Sequence, residues 1–174
     1  MSKKICLAGP ICSGKSTVGR MIVERTGLPH CSFGEIIGTY LCRNNLPAGR
    51  EDKQKFGEEL IARGYNKFVE WVIENSPQIE WRKPLIIDGL RYKEVYQALV
   101  KKFDTRLIYC ACDEHTQLAR LMGRDGVDEE TARRILSHGT EASVREMEEL
   151  ADVVYIPGDP PEYFLDKIDV LTGR

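Results

Sequence analysis

The sequence predicts an α/β protein built on a doubly wound, five-stranded parallel sheet with helices on both faces. Short apolar stretches alternate with amphipathic stretches of helical spacing along the whole chain. The apolar stretches also lack the apolar/polar alternation of a half-exposed sheet, as expected for strands that helices cover on both faces. We expect a single domain over residues 1–174, because the chain shows no internal repeat, low-complexity tract or linker.

Each predicted strand is a short apolar run that ends near a turn-forming or capping residue. In chain order the five strands are expected at residues 4–8, 29–33, 84–88, 105–112 and 152–156. Helical spacing predicts helices after Lys15, from about residue 34, over 51–75 with an interruption at Gly64, over 92–102 and over 162–171. Between them, charged helices are expected near residues 115–121, 128–137 and 141–150, with Asp113 as the N-cap of the first.

Composition excludes several classes of protein. The 174 residues are 42% hydrophobic and 30% charged, with 25 basic against 27 acidic side chains. A disordered chain and a strongly basic nucleic-acid binder are therefore not expected. No apolar run approaches the roughly 20 residues that cross a bilayer, and the N-terminus does not resemble a signal peptide. We expect a soluble, cytoplasmic protein without membrane or nucleic-acid partners, either a monomer or a small homo-oligomer.

Six cysteines show neither a CxxC pair nor the spacing of a zinc site, so most are expected to be small buried residues. Cys12 is set apart by its position in the glycine-rich segment that follows the first strand. We hypothesise that this thiol is sensitive to oxidation and that its modification blocks ligand binding. Peroxide inactivation of the wild type compared with Cys12→Ser tests this hypothesis.

The segment from Gly9 to Ser16 matches the pattern G-x-x-x-x-G-K-[ST] between the first strand and the first helix. In this context the backbone amides and the helix dipole bind a polyphosphate. Lys15 can reach the β- and γ-phosphates, and the Ser16 hydroxyl can ligate Mg²⁺. ATP and Mg²⁺ are therefore the expected cofactors. The residues expected to bind ATP are Gly9, Pro10, Cys12, Ser13, Gly14, Lys15, Ser16 and Thr17. A regulatory GTPase is not expected, because the chain's one Asn-Lys pair lacks the aspartate of the guanine-reading motif.

Five segments occur in an order that resembles a known family. They are the loop at 9–17, the turn at 33–35, the strand end at 86–91, the arginine pair at 120 and 124, and the strand at 151–155. In this order the chain resembles the small nucleoside monophosphate kinases and the dephospho-CoA kinases, over essentially its whole length. The resemblance implies a three-layer P-loop NTPase fold and an enzyme that transfers the γ-phosphoryl group of ATP to a small-molecule acceptor.

The same resemblance implies roles for individual residues. Asp88 ends a strand beside the loop, where a carboxylate can hold Mg²⁺ together with Ser16. Arg91 is expected to contact the acceptor phosphate. Arg120 and Arg124 lie four residues apart on one helix face and are expected to clamp the transferring phosphoryl group. They would belong to a short helical lid at about residues 120–140 that excludes water.

The acceptor is expected to bind helices at about residues 34–76. Gly38 stands where adenylate kinases carry the arginine that binds the acceptor phosphate, and Arg43 or Arg50 are candidates to replace it. The first expected acceptor is a (deoxy)nucleoside monophosphate. One alternative is a hydroxyl acceptor of the dephospho-CoA type, with Glu35 as the general base. The other is a regulatory nucleotide-binding ATPase. The acceptor motifs of shikimate and gluconate kinases are not found.

Overall fold

A computed structural model describes residues 2–137 and 139–173 of the chain. Position 138 of the predicted lid and positions 1 and 174 of the predicted domain lie outside the described residues. All five predicted strands are confirmed, as β1 Lys3–Ala8, β2 His30–Ser32, β3 Leu85–Asp88, β4 Asp104–Cys110 and β5 Val153–Tyr155. They form one sheet in the order β2-β3-β1-β4-β5, and every neighbouring pair is parallel.

The helices follow the predicted alternation. They are α1 Lys15–Thr26, α2 Phe33–Arg43, α3 Arg50–Ala62, α4 Tyr65–Glu74, α5 Lys93–Lys102, α6 Glu114–Asp125, α7 Glu129–Leu136, α8 Gly139–Arg145 and α9 Pro161–Thr172. Gly64 separates α3 from α4 with a φ of 117°, a conformation that suits glycine. Asp113 caps α6 as expected, since its carboxylate accepts a hydrogen bond from the Thr116 amide at 2.8 Å. The segment expected at 141–150 is α8 followed by a short 3₁₀ turn, Glu148–Leu150.

Two hydrophobic cores, one on each face, explain the continuous apolar runs of the strands. Ile5 and Leu7 of β1 point into the core that α1 and α9 cover, whereas Cys6 and Ala8 point into the core that α2, α4 and α5 cover. All four of these strand side chains are fully buried. The sheet is therefore doubly wound, and its carboxyl edge remains available for a ligand.

A third, smaller core joins the loop after β1 to the helices that follow β4. Ile11, at the tip of that loop, packs with Leu118 and Leu121 of α6 and with Ala132 and Leu136 of α7. The apolar faces of the two helices thus converge on one loop side chain. In residues 2–137 and 139–173, no helix is both long and apolar enough to cross a membrane.

Candidate active site

A cleft of about 980 Å³ opens at the carboxyl edge of the sheet. Its walls come from the loop after β1, the start of α2, one face of α3, the turn after β3, and α6. Open parallel α/β sheets bind their ligands at this edge. The cleft is therefore the candidate active site.

The glycines of the loop after β1 have backbone conformations that other residues rarely adopt. Gly9 has a φ of 144° and Gly14 a φ of 92°. A Cβ atom at Gly9 would lie 2.4 Å from the carbonyl oxygen of Cys110, so a side chain cannot be placed there without moving β4. Cys12 also has a positive φ, of 61°. These conformations shape the loop that leads into α1.

Lys15 is held by its own loop. Its Nζ donates hydrogen bonds to the carbonyl oxygens of Gly9 at 2.7 Å and Pro10 at 2.6 Å, and to the hydroxyl of Ser13 at 3.3 Å. Burial, followed by the positive charge of Arg91, lowers the pKa of Lys15 to about 8. A phosphate that binds Lys15 must therefore replace two carbonyl oxygens as the hydrogen-bond acceptors of its ammonium group.

Ser16 and Asp88 both line the cleft, as the prediction of a magnesium site requires. The Asp88 Oδ1 atom accepts a hydrogen bond from the Gly89 amide at 2.6 Å, while Oδ2 has no hydrogen bond within the described ranges. Hydroxyl and carboxylate oxygens are ligands that suit Mg²⁺. Residues 2–137 and 139–173 contain no group of three or more His, Cys, Asp or Glu side chains placed to hold a metal by themselves. Ser16 and Asp88 therefore suit a Mg²⁺ ion whose remaining ligands are phosphate oxygens and water.

Arg91 lines the cleft but is already paired. Its Nη1 donates to Oε1 of Glu141 at 2.6 Å, and Oε2 of the same carboxylate accepts the Ile11 amide at 2.8 Å. The Glu141 side chain is only 6% exposed. One buried carboxylate thus links α8, the loop after β1 and the predicted acceptor arginine.

The two predicted lid arginines both line the cleft, yet their contacts differ. Arg120 donates from Nη1 to the Cys12 carbonyl oxygen at 3.0 Å. Arg124 is paired with its neighbour Asp125 at 2.6 Å, and the same carboxylate accepts Arg50 of α3 at 2.8 Å. The hydrogen bond from Arg124 is the largest cause that lowers the pKa of Asp125 to about 2. Asp125 therefore connects α6 to α3.

Of the two arginines considered as replacements at the acceptor side, Arg50 lines the cleft, whereas Arg43 is exposed and does not. Glu35, the candidate general base, is exposed on α2 and is not among the residues that line the cleft. Four other carboxylates line it instead: Glu51, Glu58, Asp88 and Glu141.

Sequence reasoning did not single out Glu141 or Gln117, which brace the loop after β1. Gln117 is fully buried, donates from Nε2 to the Ile11 carbonyl at 2.9 Å and accepts Arg145 at 2.8 Å. One signal was available for Gln117, which lies four residues before Leu121 and hence on the apolar face of α6. Glu141 gave no such signal, since an acidic residue near a helix N-terminus is common at the surface.

Residues 5–150 match the family model described as AAA domain. The chain belongs to this family. Among curated relatives of this AAA domain chain are the adenylate kinases of Rickettsia africae (strain ESF-5) and Rickettsia conorii (strain ATCC VR-613 / Malish 7). Each is 26% identical over 125 residues, an alignment that covers 69% of this chain and 57% of the relative.

Solved structures share the fold of this AAA domain protein. A gluconokinase from Sinorhizobium meliloti 1021 superposes with a TM-score of 0.55 at 16% identity, over 99% of this chain and 92% of that one. Shikimate kinase from Aquifex aeolicus superposes with a TM-score of 0.53 at 19% identity, over 98% and 96% of the two chains. These superpositions confirm the three-layer P-loop fold.

Proposed function

We propose that this protein is an ATP- and Mg²⁺-dependent phosphotransferase whose acceptor is a (deoxy)nucleoside monophosphate. The observation that carries the proposal is the continuity of the cleft. One cavity holds the Lys15 loop at one end and a face of α3 at the other, with Arg91 and Arg120 also on its walls. A site of this form can hold a phosphoryl donor and an acceptor together, which direct transfer requires.

On the donor side, the amides of the loop and the N-terminus of α1 bind the phosphates, and Lys15 supplies a positive charge. Mg²⁺, held by Ser16 and Asp88, would neutralise charge on the β- and γ-phosphates. A second cavity of about 510 Å³ adjoins Arg120, Ile156 and Pro157. Pro157 lines both cavities, which supports placing the base of ATP beside the loop after β5.

Between donor and acceptor, arginine side chains would stabilise the charge of the transferring phosphoryl group. Arg120 and Arg91 present guanidinium groups to the charge that spreads over the transferring phosphoryl oxygens, and α6 shields the group from water. A phosphate acceptor is already anionic, so its attack needs no general base. The absence of Glu35 from the cleft wall is compatible with such an acceptor.

A coupled assay of ADP release tests the proposal with each nucleoside monophosphate, with dephospho-CoA and without acceptor. We expect at least one nucleoside monophosphate to stimulate turnover, and Lys15→Ala to abolish it. Arg91→Ala should raise the acceptor KM roughly 10-fold or more while the ATP KM changes little. Turnover that no acceptor stimulates would instead favour the regulatory ATPase, and an unchanged Arg91→Ala variant would remove the acceptor from this site.

Glu35→Gln separates the phosphate acceptor from the hydroxyl acceptor. Because Glu35 is exposed outside the cleft, we expect turnover with a nucleoside monophosphate to stay within about twofold of the wild type. Stimulation by dephospho-CoA alone, lost about 100-fold or more in Glu35→Gln, would establish the hydroxyl acceptor with Glu35 as base. Glu35→Asp serves as the conservative comparison.

A further inference from the structure

Gly38 of α2 leaves a space that a lysine of the next helix fills. An ideal Cβ atom on Gly38 would lie 3.1 Å from Cδ and 4.0 Å from Cγ of Lys53. The aliphatic part of Lys53 thus lies directly against the α2 backbone at Gly38. Any side chain at residue 38 would compete with Lys53 for this space.

Lys53 is also a cation with unused hydrogen-bonding capacity. It lines the cleft and is half-buried. Within the described ranges its ammonium group has neither a salt bridge nor a hydrogen bond. The other cleft-lining cations are engaged by partners: Lys15 by its loop, Arg50 and Arg124 by Asp125, Arg91 by Glu141, and Arg120 by Cys12.

The neighbouring residues of α3 place Lys53 beside a second cation on the same helix face. Arg50 lies three residues earlier and also lines the cleft, as do Gln54 and Gly57 further along. At Gly57 a Cβ atom would meet Ile37 of α2 at 3.4 Å, so this glycine also lets the two helices approach closely. Two acidic residues of α3, Glu51 and Glu58, line the cleft as well. The α3 end of the cleft therefore suits a polar ligand with one anionic group.

We propose that Lys53, assisted by Arg50, binds the phosphate monoester of the acceptor, so that α3 supplies the charge that Gly38 of α2 lacks. This inference rests on the proposed function, because it assigns the acceptor end of the same cleft. It makes Lys53 a residue that determines which acceptors bind. The acceptor class is a small molecule that carries a phosphate monoester.

Binding measurements test the site without requiring turnover. With ADP saturating the Lys15 loop, titrations compare each nucleoside monophosphate with its own nucleoside, and ribose 5-phosphate with ribose. We expect the phosphate to strengthen binding to the wild type by roughly 10- to 100-fold, as a charge-assisted hydrogen bond does. Lys53→Ala should remove most of this preference. Lys55→Ala, on the exposed side of the same helix, should retain it.

An exchange of the charge between helices makes the test more specific. Lys53→Ala vacates the space over Gly38, and Gly38→Arg in that background returns a cation from α2. We expect the double variant to recover at least about a third of the lost affinity ratio. Gly38→Arg alone should weaken acceptor binding because Lys53 occupies the space.

Two results would overturn the inference: a wild type with no preference for phosphate, or a Lys53→Ala variant that keeps it. A Lys53-dependent preference for nucleoside monophosphates without stimulated turnover would retain the site and refute the transferase. A preference shown with ribose 5-phosphate but with no nucleoside monophosphate would retain the phosphate site and assign it to a sugar phosphate.

Discussion

Lys15 is an ammonium group whose own loop supplies its hydrogen-bond partners. Burial lowers its pKa to about 8, so its charge is lost within a pH range in which proteins remain folded. A bound phosphate has the opposite influence and raises the pKa. We therefore expect nucleotide binding to be coupled to proton uptake at this residue.

This coupling predicts how affinity changes with pH. As pH rises through about 8 the free protein loses the Lys15 proton, whereas we expect the nucleotide complex to keep it, so that affinity falls as pH rises. We expect the Kd for ADP to rise up to roughly tenfold per pH unit above that value. Calorimetry in buffers of different ionisation enthalpy measures the uptake directly. Lys15→Met should bind weakly without this pH dependence, and a wild-type Kd that is constant above pH 8 would contradict the assignment.

At the scale of elements, α8 is tied to the rest of the site by Glu141. The carboxylate accepts the Ile11 amide and pairs with Arg91, and both contacts bridge segments far apart in sequence. Removal of such a buried acceptor leaves the amide and the guanidinium without partners. The loop after β1 and the turn after β3 then lose the group that fixes their separation.

Glu141→Ala should therefore lower the free energy of unfolding by about 1–3 kcal/mol. The same variant should raise the KM values for both substrates, because it frees the loop and Arg91 together. Glu141→Gln keeps an acceptor oxygen and should lose less stability. Glu146→Ala, which removes an exposed partner of Lys93, serves as the matched control and should change neither property measurably. Equal losses in the Glu141 and Glu146 variants, by urea denaturation, would show that the brace contributes nothing.

Two glycines, one between helices and one within a helix, are expected to respond in opposite ways to substitution by alanine. Gly64, between α3 and α4, has a φ of 117° and a ψ of 141°, whereas Gly123 lies in α6 with no atom within 4 Å of an added Cβ. We expect Gly64→Ala to destabilise the protein by about 1–3 kcal/mol through backbone strain. Gly123→Ala should stabilise it by roughly 0.5–1 kcal/mol, because alanine favours the helix. Thermal or urea unfolding of the two variants distinguishes these effects, and equal shifts would contradict the backbone argument.

At the scale of the whole molecule, the fold was predictable because each strand is a short apolar run in the sequence. Each helix is recognisable by apolar residues at helical spacing. The place of the Lys15 loop on the cleft wall was predictable for a related reason, since the loop is contiguous in sequence. The rest of the cleft was only partly predictable, because Arg91 and Arg50 were expected near the acceptor whereas Lys53 and Glu141 were not singled out. Lys53 and Glu141 lie in charged helices that are typical of a solvated surface, and only tertiary packing brings them into the cleft. The one indication in the sequence was Gly38, whose missing side chain leaves the space that Lys53 fills.

The packing of the two cores also predicts which thiols react. All six cysteines are free, and Cys6, Cys31 and Cys110 are buried. Burial raises the pKa of Cys31 and of Cys110 to about 12. A thiol reagent at neutral pH should modify Cys42 readily, the three buried thiols only after denaturation, and Cys12 more slowly when ADP is bound. Mass spectrometry of labelled peptides measures each site, with Cys12→Ser as the control. Labelling of Cys12 that ADP does not slow would place the nucleotide elsewhere.

Ile11 belongs both to the loop that we propose binds the nucleotide and to the small core under α6 and α7. A motion that lifts these helices from the loop would expose apolar surface to water, and such exposure carries a positive change in heat capacity. The equilibrium between closed and lifted forms would then follow a curved temperature dependence instead of a straight van't Hoff line. The burial of Ile11 would thus make the position of α6 and α7 over this loop depend on temperature.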